Sequence, residues 1–415
     1  MPGRHAAFSR RGVISPAPLP GAVGATAGLL GDLLLGDPRR GHPVAAFGRA
    51  AGAVERRLWR DHRGWGALHT ALCAGGAVGL AALAARAARR SPAATAGLTA
   101  AATWAVVGGT SLGREARAIG AALAAGDVAA ARRRLPNLCG RDPEALDSAQ
   151  LARAVVESVA ENTSDAVVGA LLWGAVAGVP GLVGFRAVNT LDAMVGHKSP
   201  RYRRFGWASA RLDDLVGWPG ARLTAALAAV LGPDPAGAVR VWRADAHRHP
   251  SPNAGVVEAA FAGALRVRLG GALSYGGRAE LRPVLGDGGR DVAVADVERA
   301  VRLSRRVSWG ALVVLVGARL GRAGVARVRS RACRQTPVVR TEGGPRGVRW
   351  ILSACRVQAL VLDVLGLTPG AARGRAWRRA ADGSSTTGPR AVPGAVSGVL
   401  PAPAGPGAGP RQAAA

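Results

Sequence analysis

Three acids in this 415-residue chain, Glu157, Glu161 and Asp165, recur at i, i+4 and i+8. On a helix that spacing stacks them one turn apart on a single face. Like charges so placed repel by about 0.2–0.5 kcal/mol per pair unless a cation lies among them. Arg153, a turn earlier, extends the row and offsets one carboxylate, which leaves the others for a metal or a cationic ligand. A solvated helix end would explain any one of these acids. The row matters because polar residues return beyond an uncharged run of twenty residues, Ala166 to Phe185, as Asn189, Asp192, Lys198, Tyr202, Arg211, Asp213 and Asp214. Carboxylates hold Mg²⁺ and basic side chains hold phosphate, so the two clusters fit phosphoryl chemistry or a polyanionic substrate if they can meet.

Whether they meet depends on the uncharged run between them. Val179-Pro180-Gly181 interrupts it, and a proline removes a backbone donor, so the run is either one kinked span or a hairpin of two short arms. Only the hairpin puts both clusters on one side, and it is the favoured reading. Other apolar runs predict a polytopic, all-α membrane protein with polar helical loops. Gly21 to Leu35 reads as a short first span containing Asp32, a carboxylate expensive in lipid. Gly66 to Ala85 and Ser91 to Gly113 are each near the ~20 residues needed to cross. Arg114 to Arg153 reads as a polar, mostly helical loop, and its Arg excess makes that face cytoplasmic. Leu215 to Gly232 reads as a further apolar helix and Val307 to Ala318 as a short last one. Ser251-Pro252-Asn253 leads into a helix capped by Asn253 and carrying Glu258.

Apolar residues make up 49% of the chain and aromatics 4%, so the apolar content is mostly Ala, Val and Leu, the material of helices. The net charge is +29, and Lys198 is the only lysine among 55 basic residues. The arginines are scattered along loops without interleaved aromatics, which argues against nucleic acid as a partner. Cys73, Cys139, Cys333 and Cys355 form no CxxC pair, and residues 1–20 lack the apolar core of a cleavable signal. The expected organisation is a loose extension at 1–20, a helical membrane domain at 21–321, an Arg-rich segment at 322–367 and a disordered Ala/Gly/Pro-rich tail at 368–415.

Several familiar sites are absent. Lys198 follows His197 rather than a glycine, which excludes a Walker A loop, and no HExxH occurs. The motifs GDLLLGDP…HPV (Gly31 to Val44), ESVAENTSDAVVGALLW (Glu157 to Trp173) and RAVNTLDAMVGHKSPRYRRFGWASARLDDL (Arg186 to Leu215) remain. With HPSPNAG (His249 to Gly255), EAAFAGAL (Glu258 to Leu265), and RLGG with YGG (Arg268 to Gly277), they resemble the adenosylcobinamide-phosphate synthases of cobalamin biosynthesis. The resemblance covers roughly Gly21 to Leu320. Two departures stand out: Val256-Val257 replaces the Trp-Pro that commonly follows NAG, and nothing after Gly321 resembles the family.

The resemblance implies a ligase of the cell membrane, using ATP and Mg²⁺, that joins aminopropanol or its phosphate to the free carboxylate of cobyric acid. Other late corrinoid-pathway enzymes are the partners it implies besides the lipid bilayer. It assigns catalysis to Glu157, Glu161, Asp192, Lys198, Asp213 and Asp214, with Glu157, Glu161 and Asp165 as metal ligands. Lys198 and Arg211 are expected to contact phosphate, and Asp213 or Asp214 to act as base or second metal ligand. Substrate contacts are expected from Asp37, His42, Asn162, Asn189, Tyr202, Arg211, His249, Asn253 and Glu258. The rival readings are a membrane prenyl- or phosphoalcohol transferase and a non-catalytic corrinoid carrier.

Overall fold

Gly178 sits at φ +69° and ψ −152°, in a region that only glycine enters without strain, and the chain reverses there. The computed structural model of the chain describes residues 18–37, 41–144, 146–275 and 278–335, with side chains left out at 272–281 and 322–335. All described elements belong to one unit ending at Gln335. Residues 1–17 and 336–415, including the proposed tail and most of the Arg-rich segment, lie outside the described residues.

The fold is mostly helical: α1 (Pro18–Leu35), α2 (Pro43–Leu58), α3 (Arg63–Ala88), α4 (Pro92–Val106), α5 (Gly109–Ala124), α6 (Val128–Arg134), α7 (Ser148–Asn162), α8 (Gly169–Ala177), α9 (Val179–Val195), α10 (Trp207–Leu231), α11 (Pro235–Asp245), α12 (Ala254–Leu265) and α13 (Ala295–Gln335). A two-stranded antiparallel sheet, β1 (Leu269–Tyr275) and β2 (Arg278–Leu285), is the exception to the expected all-α fold. Starts follow capping chemistry. Asp147 and Gln150 form a reciprocal capping box at α7, with Asp147 Oδ1 accepting from Gln150 N at 2.8 Å and Gln150 Oε1 accepting from Asp147 N at 2.9 Å.

The uncharged run from 166 to 185 is a hairpin, as favoured. Its first arm, α8, has 9 residues and packs back against α9 beyond the turn at Gly178. Pro180 lies in the first turn of α9, where its missing N–H costs nothing. The run from Ser91 to Gly113, by contrast, is not one span. It breaks at Val107, which is extended (φ −85°, ψ 125°), and α5 starts at Gly109. The 15 residues of α4 give about 22 Å, short of the ~30 Å hydrocarbon core. Among the described residues only α3, with 26 residues, is long and apolar enough to cross a membrane.

Other boundaries shift as well. α1 begins at Pro18, α10 begins at Trp207 and so carries Asp213 and Asp214 on the helix, and α13 runs unbroken past Gly321. Asn253 does not cap α12. Ser251 Oγ accepts from Ala254 N at 3.1 Å instead, which frees the Asn253 side chain for other partners. The segment read as a loop between 114 and 153 packs inward, burying Ile119, Leu123 and Leu135.

Three packed clusters hold the helices together. The largest joins residues of α5, α7, α10, α12 and α13. Every residue of α12 is buried, Glu258 among otherwise apolar and small residues. A second cluster gathers α1, α8, α9 and α13, and a third joins α2, α3 and α9. α1 lies close on α4 because Gly28 lets it: a Cβ there would stand 2.5 Å from Ala100 O.

Candidate active site

α7 and α8 form one helical rod through a π-helical segment, Thr163–Val168, that carries Asp165. Such insertions alter the direction of side chains along a helix and are frequent at functional sites. Here the acid row divides. Glu157, 2% exposed, pairs with Arg141 Nη2 and accepts from Gly270 N at 2.6 Å. Gly270 offers that N–H from a bulge in β1, at φ +81°. With both carboxylate oxygens satisfied, Glu157 is held as a structural anion.

Asp165 turns to the other side. Burial pushes its pKa well above the usual carboxylate range, and Asp213, Glu161 and Asp192 add to the rise while Arg186 opposes it. Asp192 is pushed up to about 6 by burial, then by Asp214 and Glu161. Asp213 reaches about 7 through burial and Asp192, although Asn189 Nδ2 donates to its Oδ1 at 3.5 Å. Glu161 links the two halves. Its side chain is open to solvent. Desolvation raises its pKa, with Arg282 and Arg141 opposing and Glu157 reinforcing. The acid row and the later acidic block, far apart in sequence, therefore face one another.

Around this cluster the other expected residues fall into place unevenly. Arg186, whose pKa is lowered by burial, stands between Asp37 and Asp165 and donates to Asn189 Oδ1 at 3.4 Å. Asp37 Oδ1 lies 3.9 Å from His42 Nε2. Asp214 has its pKa raised by burial while Arg211 and Lys198 oppose, and Arg211 Nη1 is 3.9 Å from its Oδ2. Asn253 Nδ2 donates to Asp214 O at 2.9 Å and its Oδ1 accepts from Arg222 Nη1 at 2.9 Å, which ties α10 to the start of α12. His249 Nε2 is 3.3 Å from Arg282 Nη1 and 4.0 Å from Glu258 Oε2. The Glu258 pKa is pushed well up by burial, then by Glu157 and Glu161.

Two expected substrate contacts are engaged elsewhere. Tyr202 donates its hydroxyl to Glu55 Oε1 at 2.8 Å, and Arg201 joins the same carboxylate at 3.2 Å, latching the segment after α9 onto α2. Asn162 Nδ2 donates to Ser158 O at 2.9 Å, back along its own helix. Arg141, Arg186 and Arg282 are the cations that reading by spacing did not single out. Arg186 carried a signal, since Asn189 follows it at i+3, a helical interval. Arg141 and Arg282 carried none, because their acidic partners are brought in by other elements.

The expected metal set is not gathered around a point. Glu157 is committed to Arg141, and among the described residues no three His, Cys, Asp or Glu side chains are grouped to hold a metal ion. Asp165, Asp192 and Asp213 are of the donor type Mg²⁺ takes, but they too are not grouped around one point. They are hard oxygen donors whose mutual repulsion, seen in their raised pKa values, a divalent cation would relieve.

Fold and site together define a helical protein built round a desolvated carboxylate crevice bordered by arginines. The chain belongs to the CobD/Cbib family, whose model matches residues 25–304, and so to cobalamin biosynthesis. It is 58% identical over 301 residues to the cobalamin biosynthesis protein CobD of Mycobacterium tuberculosis, covering 71% of this chain and 95% of that protein. The CobD of Chromobacterium violaceum is 44% identical over 292 residues, covering 68% and 91%. The CobD of Rhodobacter capsulatus is 46% identical over 212 residues, covering 51% and 68%. No solved structure matches the chain.

Proposed function

We propose that the crevice forms an amide bond, joining aminopropanol or its phosphate to the free carboxylate of cobyric acid. The observation that carries this reading is that Asp165, Asp192 and Asp213 lie near enough to raise one another's pKa, with Asn189 Nδ2 on Asp213 Oδ1 at 3.5 Å and Arg186 beside Asp165. A carboxylate must be activated before an amine can displace an oxygen from it, and Mg²⁺-bound ATP would supply the phosphoryl group for that activation. Asp165, Asp192 and Asp213 would hold the cation, in place of the Glu157, Glu161 and Asp165 set. Lys198 and Arg211, beside Asp214, offer positive charge for phosphate. Asp213 or Asp214, whichever does not hold the cation, would take the proton that an attacking ammonium must lose.

The protein would act as a multi-pass protein of the cell membrane with the crevice on the cytoplasmic side. Support comes from α3 and from bare apolar side chains such as Leu80 and Leu83 on α3, Leu34 on α1 and Val230 on α10. Membranes holding the full chain, given cobyric acid, (R)-1-aminopropan-2-ol phosphate and Mg-ATP, should yield a corrinoid heavier by the amine. A prenyl- or phosphoalcohol transferase would leave cobyric acid unchanged and modify lipid, and a carrier would change neither. Either outcome rejects the ligase reading.

A further inference from the structure

A cavity of about 220 Å³ lies between α1, α5 and α13, with Val167 of the π segment on its wall. It is large against the ~30 Å³ that one water occupies in the liquid. Asp32 lines it and is 3% exposed. Its Oδ2 accepts from Thr110 N at 3.0 Å and from Thr110 Oγ1 at 2.9 Å, while its Oδ1 has no hydrogen-bond partner among the described residues. A buried carboxylate half satisfied in this way is costly without a donor. Arg114, Arg117 and Arg305 line the same cavity; Arg117 is paired with Glu298 at 2.7 Å, while Arg114 and Arg305 are exposed, with no hydrogen bond among the described residues fixing either head group.

The cavity borders the reaction crevice. Ser304 on its wall accepts from Thr163 Oγ1 at 2.6 Å, in the π segment that carries Asp165. On the α5 side, a Cβ at Gly109 would lie 3.7 Å from Asp32 Oδ2, while one at Gly108 would lie 3.5 Å from Asp37 Oδ2 and 3.7 Å from Arg186 Nη2. One glycine thus faces the cavity and its neighbour faces the crevice.

A lone buried carboxylate acceptor with two guanidinium groups across a small void is complementary to a short zwitterion, cationic at one end and anionic at the other. We infer that this cavity binds the amine substrate as an amino-alcohol phosphate, with its ammonium on Asp32 and its phosphate on Arg114 and Arg305. The assignment rests on the amide-forming reading for the identity of the ligand, and on the cavity for its place.

Calorimetric binding to the detergent-solubilised full chain, without corrinoid or ATP, tests it. The probes are (R)-1-aminopropan-2-ol phosphate, aminopropanol alone and inorganic phosphate. The wild type should favour the zwitterion at least tenfold over either half. Asp32→Asn keeps an acceptor for Thr110 and should weaken the zwitterion at least tenfold while leaving inorganic phosphate unchanged. Arg305→Ala alters an exposed side chain, so folding is not at stake, and should weaken both phosphorylated probes but not aminopropanol. Wild-type affinity in Arg305→Ala, or no preference for the zwitterion in the wild type, overturns the assignment. Turnover with unchanged KM for the amine in both variants would reject the cavity and leave the ligase reading standing. The expected binding pattern in a protein that forms no amide would reject the ligase reading and keep the cavity.

Discussion

Glu157 and Asp165, eight residues apart on one helical rod, meet opposite electrostatic surroundings. Glu157 has an arginine and a backbone N–H, whereas Asp165 has other carboxylates. Removing the partner of the first should therefore cost stability. Arg141→Met leaves a buried, unpaired anion, and denaturant unfolding should show a loss of about 3–5 kcal/mol, since a buried pair broken on one side costs about that much. An unchanged midpoint would mean that Glu157 is solvated after all. For the second group the pH dependence has the opposite sign from an ordinary ion pair. Asp192 and Asp213 have folded pKa values of about 6 and 7 against a usual 3.8, so the native state binds more protons than the unfolded chain between those limits. Their contribution is most favourable below about pH 4 and is lost as pH rises to about 7. In EDTA, Asp213→Asn should flatten the upper part of that decline in Tm, and Mg²⁺ at pH 8 should stabilise the wild type more than the variant. Parallel wild-type and variant curves would dismiss the cluster as a cation site.

The element that brings these carboxylates together is the α8/α9 hairpin, and its hinge is one glycine. Gly178 holds φ +69° and ψ −152°, a conformation that costs other residues about 1–3 kcal/mol. Gly178→Ala should lower thermal stability by that order and reduce turnover by more than the folded fraction explains, because α9 carries Asn189 and Asp192 away from Asp165. Full turnover in a destabilised variant would show that the hinge serves folding only. Much of the hairpin was legible beforehand, since Val179-Pro180-Gly181 marks a break and only a reversal unites two polar clusters. The division of the acid row was not legible. Spacing places Glu157 and Asp165 on one face of an ideal helix, and a π segment carries no sequence signal that separates it from the α-helix around it. Nor was the break at Val107 legible, because a run without charges looks continuous whether or not two glycines interrupt it.

Across the whole molecule, the residues lining the crevice or the cavity lie between Leu29 and Trp309, and the family match ends at residue 304. A chain truncated after Gln335 should keep wild-type turnover in membranes, and loss of activity would assign work to the segment removed. Single cysteines at Asp165 and Ser199, labelled from one side of sealed vesicles, should react together, whereas labelling from opposite sides would separate the two halves of the crevice. Sequence by itself determined the helical character, the kinship with cobalamin biosynthesis proteins and the chemical types present, because helix periodicity and local motifs are written in neighbouring residues. Tertiary structure alone decided that Glu157 is spent on Arg141, that Asp165 faces Asp192 and Asp213, and that Asp32 opens on a cavity lined by three arginines. Each of those outcomes depends on which distant element packs alongside, and that is set by burial summed over the whole core rather than by any local spacing.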